Sequence, residues 1–138
     1  MEKETFIVAQ KAAIRKGDKL LILKRSPDDS SYPSHWDFPG GTLETGEDPK
    51  KGLEREIIEE SGLVAKTLKP VFTFREIVIG RQVFFVVYEC TQFSGNSIKL
   101  SGEHMEYRWA TREEILGLKA ENYLIAYLKN KNDHEAND

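Results

Sequence analysis

The stretch GTLETGEDPKKGLEREIIEESGL, residues 41–63, decides the fold of this chain of 138 residues. Within it Glu56, Glu59 and Glu60 stand at positions i, i+3 and i+4, so an α-helix places all three on one face, within an arc of about 100°. Like charges at this spacing destabilise an isolated helix by roughly a few tenths of a kcal/mol per pair. Three convergent carboxylates instead suit a hard divalent cation such as Mg²⁺.

The same stretch contains the signals that begin and end a helix. Asp48 is a suitable N-cap, Pro49 suits the first helical position, and Gly62 suits the left-handed position that follows a last turn. We therefore predict a helix over residues 49–61. It follows a glycine-containing loop, so the loop backbone and the carboxylates of the helix are expected to lie close together.

The rest of the chain alternates between strand-like and helix-like patterns. The predicted strands are residues 5–14, 19–25, 64–78, 82–92 and 106–110. A second helix is predicted from Thr111, which forms a capping-box pattern with Glu114, and its last part is expected to bury Leu124, Ile125 and Leu128. This order predicts a mixed α/β fold in one domain, residues 1–138, with a flexible tail over residues 130–138.

The composition excludes several classes of protein. The formal net charge of -3 provides no basic surface for nucleic acid or for an anionic membrane, and no apolar run approaches the length of a membrane span. The start, MEKETFIVAQ, mixes acidic and basic residues and does not resemble a signal peptide, so we expect a cytoplasmic location. A single cysteine, Cys90, excludes an internal disulfide and is expected to be a buried core thiol.

The spacing of residues 41–63 resembles the Nudix box at every specified position. The matching residues are Gly41, Glu47, Arg55, Glu56, Ile57, Glu59, Glu60, Gly62 and Leu63. A looser similarity to the MutT-like branch of the Nudix hydrolases covers about residues 5–127 and includes LLILKRS, the W-x-FPGG of residues 36–41, and the pair Glu103 and Trp109. Gly52 departs from the family, which usually has alanine there, at a helix cost of about 1 kcal/mol. The resemblance implies a Nudix-type α/β/α sandwich with a mixed β-sheet between helices.

The resemblance also implies a metal site. Glu56, Glu59 and Glu60 are expected to bind Mg²⁺, with Mn²⁺ as a substitute, together with a backbone carbonyl at Gly40 or Gly41. Carboxylate and carbonyl oxygens are the ligands that Mg²⁺ prefers, and waters and substrate phosphates complete its octahedron.

Further catalytic residues are expected around the box. Arg55 can hold Glu59, or another carboxylate of the site, in a fixed rotamer through a bidentate pair. Glu47, before the helix, could orient Arg55 or lie behind the direct metal ligands. Glu103 is implied as a further metal contact or as the general base; the other interpretation is an ordinary loop acid.

Four residues outside the box are candidates for substrate binding. Lys24 and Arg25 could reach phosphates from a strand end, Trp36 could stack on a base, and Asn122 could pair with a base edge. Each has a structural alternative: charges on an edge strand, an indole packed in the core, or a solvated amide.

The resemblance implies hydrolysis of a nucleoside diphosphate linked to another group, X. Three features argue against other groups of the family. Gly41 stands where dinucleoside polyphosphate hydrolases often have lysine, Val78-Ile79 stands where ADP-ribose pyrophosphatases tend to have proline, and the arginine-rich motif of coenzyme A hydrolases is absent before the box. The resemblance therefore favours a (d)NTP pyrophosphohydrolase that releases NMP and pyrophosphate, with oxidised or non-canonical nucleotides among its candidate substrates. The alternatives are an ADP-ribose or nucleotide-sugar pyrophosphatase, an isopentenyl diphosphate isomerase, and a non-catalytic nucleotide-binding module. The expected partner is a small-molecule nucleotide, and a homodimer is common in the family.

Overall fold

In the computed structural model, which describes the backbone of residues 4–137 and the side chains of residues 4–131, a mixed sheet lies between helices. Its elements in chain order are β1 (Phe6–Lys16), β2 (Lys19–Arg25), β3 (Trp36–Asp37), β4 (Gly40–Thr42), α1 (Pro49–Ser61), β5 (Val64–Ala65), β6 (Lys69–Val78), β7 (Arg81–Cys90), β8 (Phe93–Ser94), β9 (His104–Thr111), α2 (Arg112–Leu116) and α3 (Asn122–Asn137).

The main sheet is built around β1. Its strands follow the order β3-β2-β1-β7-β6, with β4 also paired to β1 and β9 to β2. β1 and β7 are parallel, whereas the other neighbouring pairs of this sheet are antiparallel. β1 and β2, two of the predicted strands, form a hairpin in which Gly17 takes the positive φ of 65° that the tight turn requires. β5 and β8 form a separate two-stranded sheet.

Two buried clusters, one on each face of the sheet, give the predicted α/β/α sandwich. Leu53 and Ile57, one turn apart on α1, are fully buried against the cluster that includes Ile14 and Leu21. Burial of each such side chain contributes roughly 1.5–3 kcal/mol. The other face packs against α2 and α3 through Ile115, Tyr123, Leu124, Tyr127 and Leu128. Cys90 is buried, as predicted.

The local signals around residues 41–63 predicted α1 correctly. The helix covers Pro49–Ser61, the Asp48 carboxylate accepts a hydrogen bond from the Lys51 N–H at 3.0 Å, and Gly62 closes the helix with a φ of 80°. Thr111 forms the predicted capping box with Glu114.

Two predicted elements are divided in the structure. Residues 64–78 form β5 and β6 because Val64–Ala65 pairs with β8, whereas the chain from Lys69 pairs with β7 and must turn between them. The second helix is divided because α2 ends at Leu116, with Gly117 as its C-cap, and the following loop bridges to β3 through Ala120 and Trp36 before α3 begins.

Two further expectations concern the flexible tail and the lack of a membrane span. α3 continues to Asn137, whereas the sequence predicted fraying from residue 130; the flexibility of this tail stays a prediction, and residue 138 lies outside the described part. No helix in the described residues is long and apolar enough to cross a membrane.

Candidate active site

The loop before α1 lies directly against two of the box carboxylates. The Gly40 N–H donates a hydrogen bond to Glu60 Oε1 at 2.9 Å. At Gly41 an added Cβ would lie 2.6 Å from Glu56 Cδ, so the absence of a side chain lets that carboxylate rest on the loop backbone. β4 holds this loop against β1, and Gly40, with a φ of 151°, approaches the backbone of Gln10 too closely for any side chain.

Arg55 joins three glutamates next to this loop. Its Nη2 donates to Glu47 Oε2 at 2.6 Å and lies 3.4 Å from Glu56 Oε1, while its Nη1 donates to both oxygens of Glu59 at 3.2 and 3.3 Å. These bonds place Arg55 and Glu47 where the sequence expected them. They also direct Glu59 toward Arg55, on the exposed side of the helix.

Gly52 explains how Glu47 reaches this position. A Cβ at Gly52 would lie 2.5 Å from Glu47 Cδ, so the departure from the usual alanine leaves room for the Glu47 carboxylate against the helix. The first turn of α1 and the Arg55 pair therefore share one tightly packed contact.

A cleft of about 570 Å³ opens beside the loop and α1. Six sequence-predicted residues line it: Arg25, Gly40, Gly41, Glu56, Glu60 and Glu103. Its floor and far wall are largely apolar and are formed by Ile7, Ala9, Val78, Ile79, Val83 and Phe85. The cleft thus has an acidic end at the box and an apolar end above β1, β6 and β7.

The other predicted residues do not line the cleft. Glu47 and Glu59 are bound to Arg55 on its outer side. Lys24 and Arg25 point to opposite faces because side chains alternate along β2, and only Arg25 reaches the cleft.

Trp36 and Asn122, the two residues expected to contact a base, both make contacts within the protein. Trp36 is 4% exposed, belongs to the core, and is covered by the cations of Lys24 and Arg108. The geometry therefore does not offer its indole as a stacking surface in the cleft. The Asn122 amide donates to Glu76 Oε1 at 2.6 Å and to the Tyr32 hydroxyl at 3.4 Å.

Burial raises the pKa of two carboxyl groups that line the cleft. Desolvation raises the pKa of Glu60 to about 8, against the opposing effects of the Lys11 ammonium and the Gly40 N–H. Burial also raises the pKa of Glu56, and the nearby carboxylates of Glu59 and Glu103 add to this although Arg55 opposes it. These carboxylates are close enough to repel one another, so a cation between them would stabilise their ionised forms.

An ionic network that was not predicted from the sequence joins three residues of the cleft wall, Lys11, Arg25 and Glu121, to the buried Asp37. Lys11 Nζ and Arg25 Nη1 lie 2.9 and 3.0 Å from Asp37 Oδ2, and Arg25 Nη1 lies 3.4 Å from Glu121 Oε2. Although burial opposes ionisation, the two cations hold the pKa of Asp37 below its usual range, whereas burial and Asp37 raise the pKa of Glu121 to about 9. The one available signal was a lysine inside the apolar strand FIVAQKAAI.

The donor set fits a hard divalent cation. Glu56, Glu60 and Glu103 line the same cleft beside the Gly40–Gly41 backbone, and all of these donors are oxygens, which Mg²⁺ prefers. Among the residues whose side chains are described, no three carboxylates or imidazoles converge as closely as metal ligands do. Two of the box carboxylates have other partners here: Glu59 is bound to Arg55, and Glu60 accepts a hydrogen bond from the Gly40 N–H.

Comparisons with known proteins agree with this geometry. The family model of the NUDIX domain matches residues 6–128. A CTP pyrophosphohydrolase of Escherichia coli is 30% identical over 105 residues, 76% of each chain, and a MutT-like protein of Streptomyces ambofaciens is 29% identical over 83% of this chain and 70% of its own. The crystal structure of a MutT protein from Methanosarcina mazei has a TM-score of 0.86 at 26% identity and covers 98% of this chain and 99% of its own. The solution structure of the E. coli ORF135 protein has a TM-score of 0.78 at 26% identity, over 91% and 88% of the two chains.

Proposed function

Because this chain belongs to the NUDIX family and is a Nudix hydrolase of the MutT-like branch, we propose that it hydrolyses nucleoside triphosphates to NMP and pyrophosphate with Mg²⁺. One observation carries the proposal: a single cleft joins the acidic wall of Glu56, Glu60 and Glu103 to an apolar floor that includes Val83 and Phe85. A metal-bound polyphosphate fits the first part, and a nucleoside fits the second.

The names of the relatives support the same substrate class. The E. coli relative is a CTP pyrophosphohydrolase, and a Salmonella relative, 29% identical over 107 residues, is the nucleoside triphosphatase NudI.

Each cleft residue has a proposed task in this reaction. Glu56, Glu60, Glu103 and a carbonyl of Gly40 or Gly41 would hold Mg²⁺, which when bound neutralises the polyphosphate and makes a water more acidic. The attacking water forms a new O–P bond as the P–O bond to the leaving pyrophosphate breaks. Glu103, exposed at the edge of the cleft, is the proposed acceptor of the water's proton if it is not a metal ligand.

The residues around Arg55 are proposed to maintain this geometry. Arg55 binds Glu47 on one side and Glu59 on the other, which restrains both rotamers next to Glu56. On substrate binding, Glu59 is free to exchange part of its contact with Arg55 for the metal, because it makes no buried hydrogen bond. Arg25 is the proposed phosphate contact from β2.

A substrate panel with Mg²⁺, in which pyrophosphate and phosphate are measured separately, tests the proposal. We expect release of pyrophosphate from a nucleoside triphosphate, loss of turnover in EDTA, and a loss of at least about a hundredfold in Glu59→Gln and Glu60→Gln. Glu54→Gln is the matched control, since Glu54 lies exposed on the same helix outside the cleft.

The panel also separates the alternatives. Faster turnover of ADP-ribose or of a nucleotide sugar than of any triphosphate would contradict the proposed substrate class and favour an ADP-ribose or nucleotide-sugar pyrophosphatase. Tight binding without turnover of any nucleotide would favour a binding module. The cytoplasmic location and the homodimer expected from the sequence stay predictions.

A further inference from the structure

Tyr32 joins three elements at the apolar end of the cleft. It lies in the loop between β2 and β3 and lines the cleft with Ser30 and Ser31. Its hydroxyl donates to Glu76 Oε1 on β6, and the Asn122 amide at the start of α3 donates to the same oxygen at 2.6 Å and to the Tyr32 hydroxyl at 3.4 Å. We call this set of three side chains the Tyr32 latch.

The loop that carries Tyr32 is also anchored from within the site. The Asp29 carboxylate accepts from Arg25 Nη2 at 2.7 Å and from the N–H groups of Ser31 and Tyr32 at 2.9 and 2.8 Å. Arg25 is itself bound to Asp37 beneath the cleft. The position of the Tyr32 ring is therefore determined from both sides, by the latch and by the Arg25–Asp29 pair.

We propose that Tyr32 is a specificity-determining residue for the nucleoside part of the substrate, and that Glu76 and Asn122 are its positioning residues. The inference rests on the proposed function, which places a nucleoside at the apolar end of the cleft. Tyr32 lines that end together with Val83 and Phe85, so a planar base held there has an apolar floor and an aromatic wall. The acidic end lies at α1, so a ligand that has phosphates and no base is not expected to contact the tyrosine.

The chemistry of the latch suits this task. A hydrogen bond from a hydroxyl to a carboxylate is among the stronger ones in a protein, since the acceptor is charged. Burial and this bond to Glu76 raise the pKa of Tyr32, in agreement with a hydroxyl that acts as the donor to a carboxylate. Asn122, which the sequence suggested as a direct reader of the base, acts here through Tyr32.

Product binding tests the inference without turnover. The probes are a nucleoside monophosphate, which has a base, and inorganic pyrophosphate, which has none; both are titrated by calorimetry with Mg²⁺ into the full chain. In Tyr32→Phe and Glu76→Gln we expect the Kd of the monophosphate to rise by about tenfold, the effect of losing one charge-assisted bond, and the Kd of pyrophosphate to stay unchanged. Tyr32→Leu, which also removes the ring, should raise the Kd of the monophosphate further.

The matched control is Tyr107→Phe, because Tyr107 is an exposed tyrosine on β9 outside the cleft. Hydrogen exchange gives a second readout that needs no ligand: amides of the loop over residues 26–35 should exchange about tenfold faster in Tyr32→Phe than in the control. Equal weakening of both probes in Tyr32→Phe, or loop exchange at the control rate, overturns the inference. Absence of turnover for all nucleotides in the unaltered chain overturns the proposed function instead, while the exchange experiment still shows whether the latch exists.

Discussion

Replacement of Gly41 by alanine isolates the contact between the loop and the Glu56 carboxylate. Gly41 has no positive φ, so its backbone accepts any L-residue. The new Cβ, however, would lie 2.6 Å from Glu56 Cδ and 2.8 Å from each of its carboxylate oxygens. Ordinary van der Waals contact begins near 3.4 Å, so the carboxylate has to move by about 0.8 Å.

Such a displacement should reduce turnover much more than stability. The Glu56 carboxylate is the end of a flexible side chain and can swing away, so we expect the free energy of unfolding to change by less than about 1 kcal/mol. A displacement of about 1 Å in a reacting assembly can reduce the rate by about a hundredfold, and we expect a kcat loss of that order in Gly41→Ala.

The assay is steady-state turnover of the best triphosphate of the panel, with urea unfolding of the same preparations. Gly117→Ala is the matched control, because its Cβ meets only the carbonyls of Glu114 and Glu113, at an ordinary 3.5 and 3.8 Å. Gly40→Ala is the contrasting variant and should fail to fold, since its Cβ would overlap the backbone of Gln10. Full activity in Gly41→Ala would refute the reasoning, and so would a loss of folding as severe as that of Gly40→Ala.

Three further predictions concern the helix and the buried charges. Gly52→Ala should raise the free energy of unfolding by up to about 1 kcal/mol, because alanine has the higher helix propensity. It should lower kcat only severalfold, because the new Cβ displaces Glu47, which lies outside the cleft. An unchanged or lower free energy of unfolding in urea would contradict this prediction. In metal-free protein, the pKa of Glu60 in the folded state, about 8, lies above its unfolded value of 4.5. The contribution of this group to the free energy of unfolding is therefore greatest below pH 4.5, and it decreases by up to about 1.4 kcal/mol per pH unit as the pH rises to 8. Glu60→Gln should flatten that slope in urea unfolding from pH 5 to 8, and an unchanged slope would assign it to other groups. Asp37→Asn removes the anion between Lys11 and Arg25 and should lower the free energy of unfolding by about 3–5 kcal/mol. Tyr123→Phe is the comparison, and it should lower the free energy of unfolding less, because it removes one hydrogen bond to Asp37 and leaves the anion in place.

The parts of the fold that could be predicted are those with local causes. The bounds of α1 follow from Asp48, Pro49 and Gly62, which act within one turn of the helix ends. The first hairpin likewise follows from a glycine between two apolar runs. In contrast, the division of residues 64–78 depends on β5 pairing with β8, about thirty residues away, and no glycine or proline marks the turn between Ala65 and Lys69.

The same distinction applies to the candidate site. Glu56, Glu60 and the loop glycines lie within one short segment, so their spacing was sufficient to bring them together. The contacts of Asn122 join residues 46 and 90 positions apart, and the Lys11–Asp37 pair joins residues 26 apart. Such pairs depend on strand order and register, which local patterns do not determine.

The division of the cleft implies a division of kinetic effects. In the proposed reaction the box residues act on the bond that breaks, so their loss should appear in kcat. The loop between β2 and β3, the strands β6 and β7 and the start of α3 form the apolar end, which contacts the part of the substrate that does not react. Interactions that are equal in the ground state and in the transition state change KM and leave kcat unaltered. A change at Tyr32 should therefore move KM for nucleotides, a change at Glu60 should move kcat, and a double variant of these two positions should show nearly additive effects, since they share no hydrogen-bond partner.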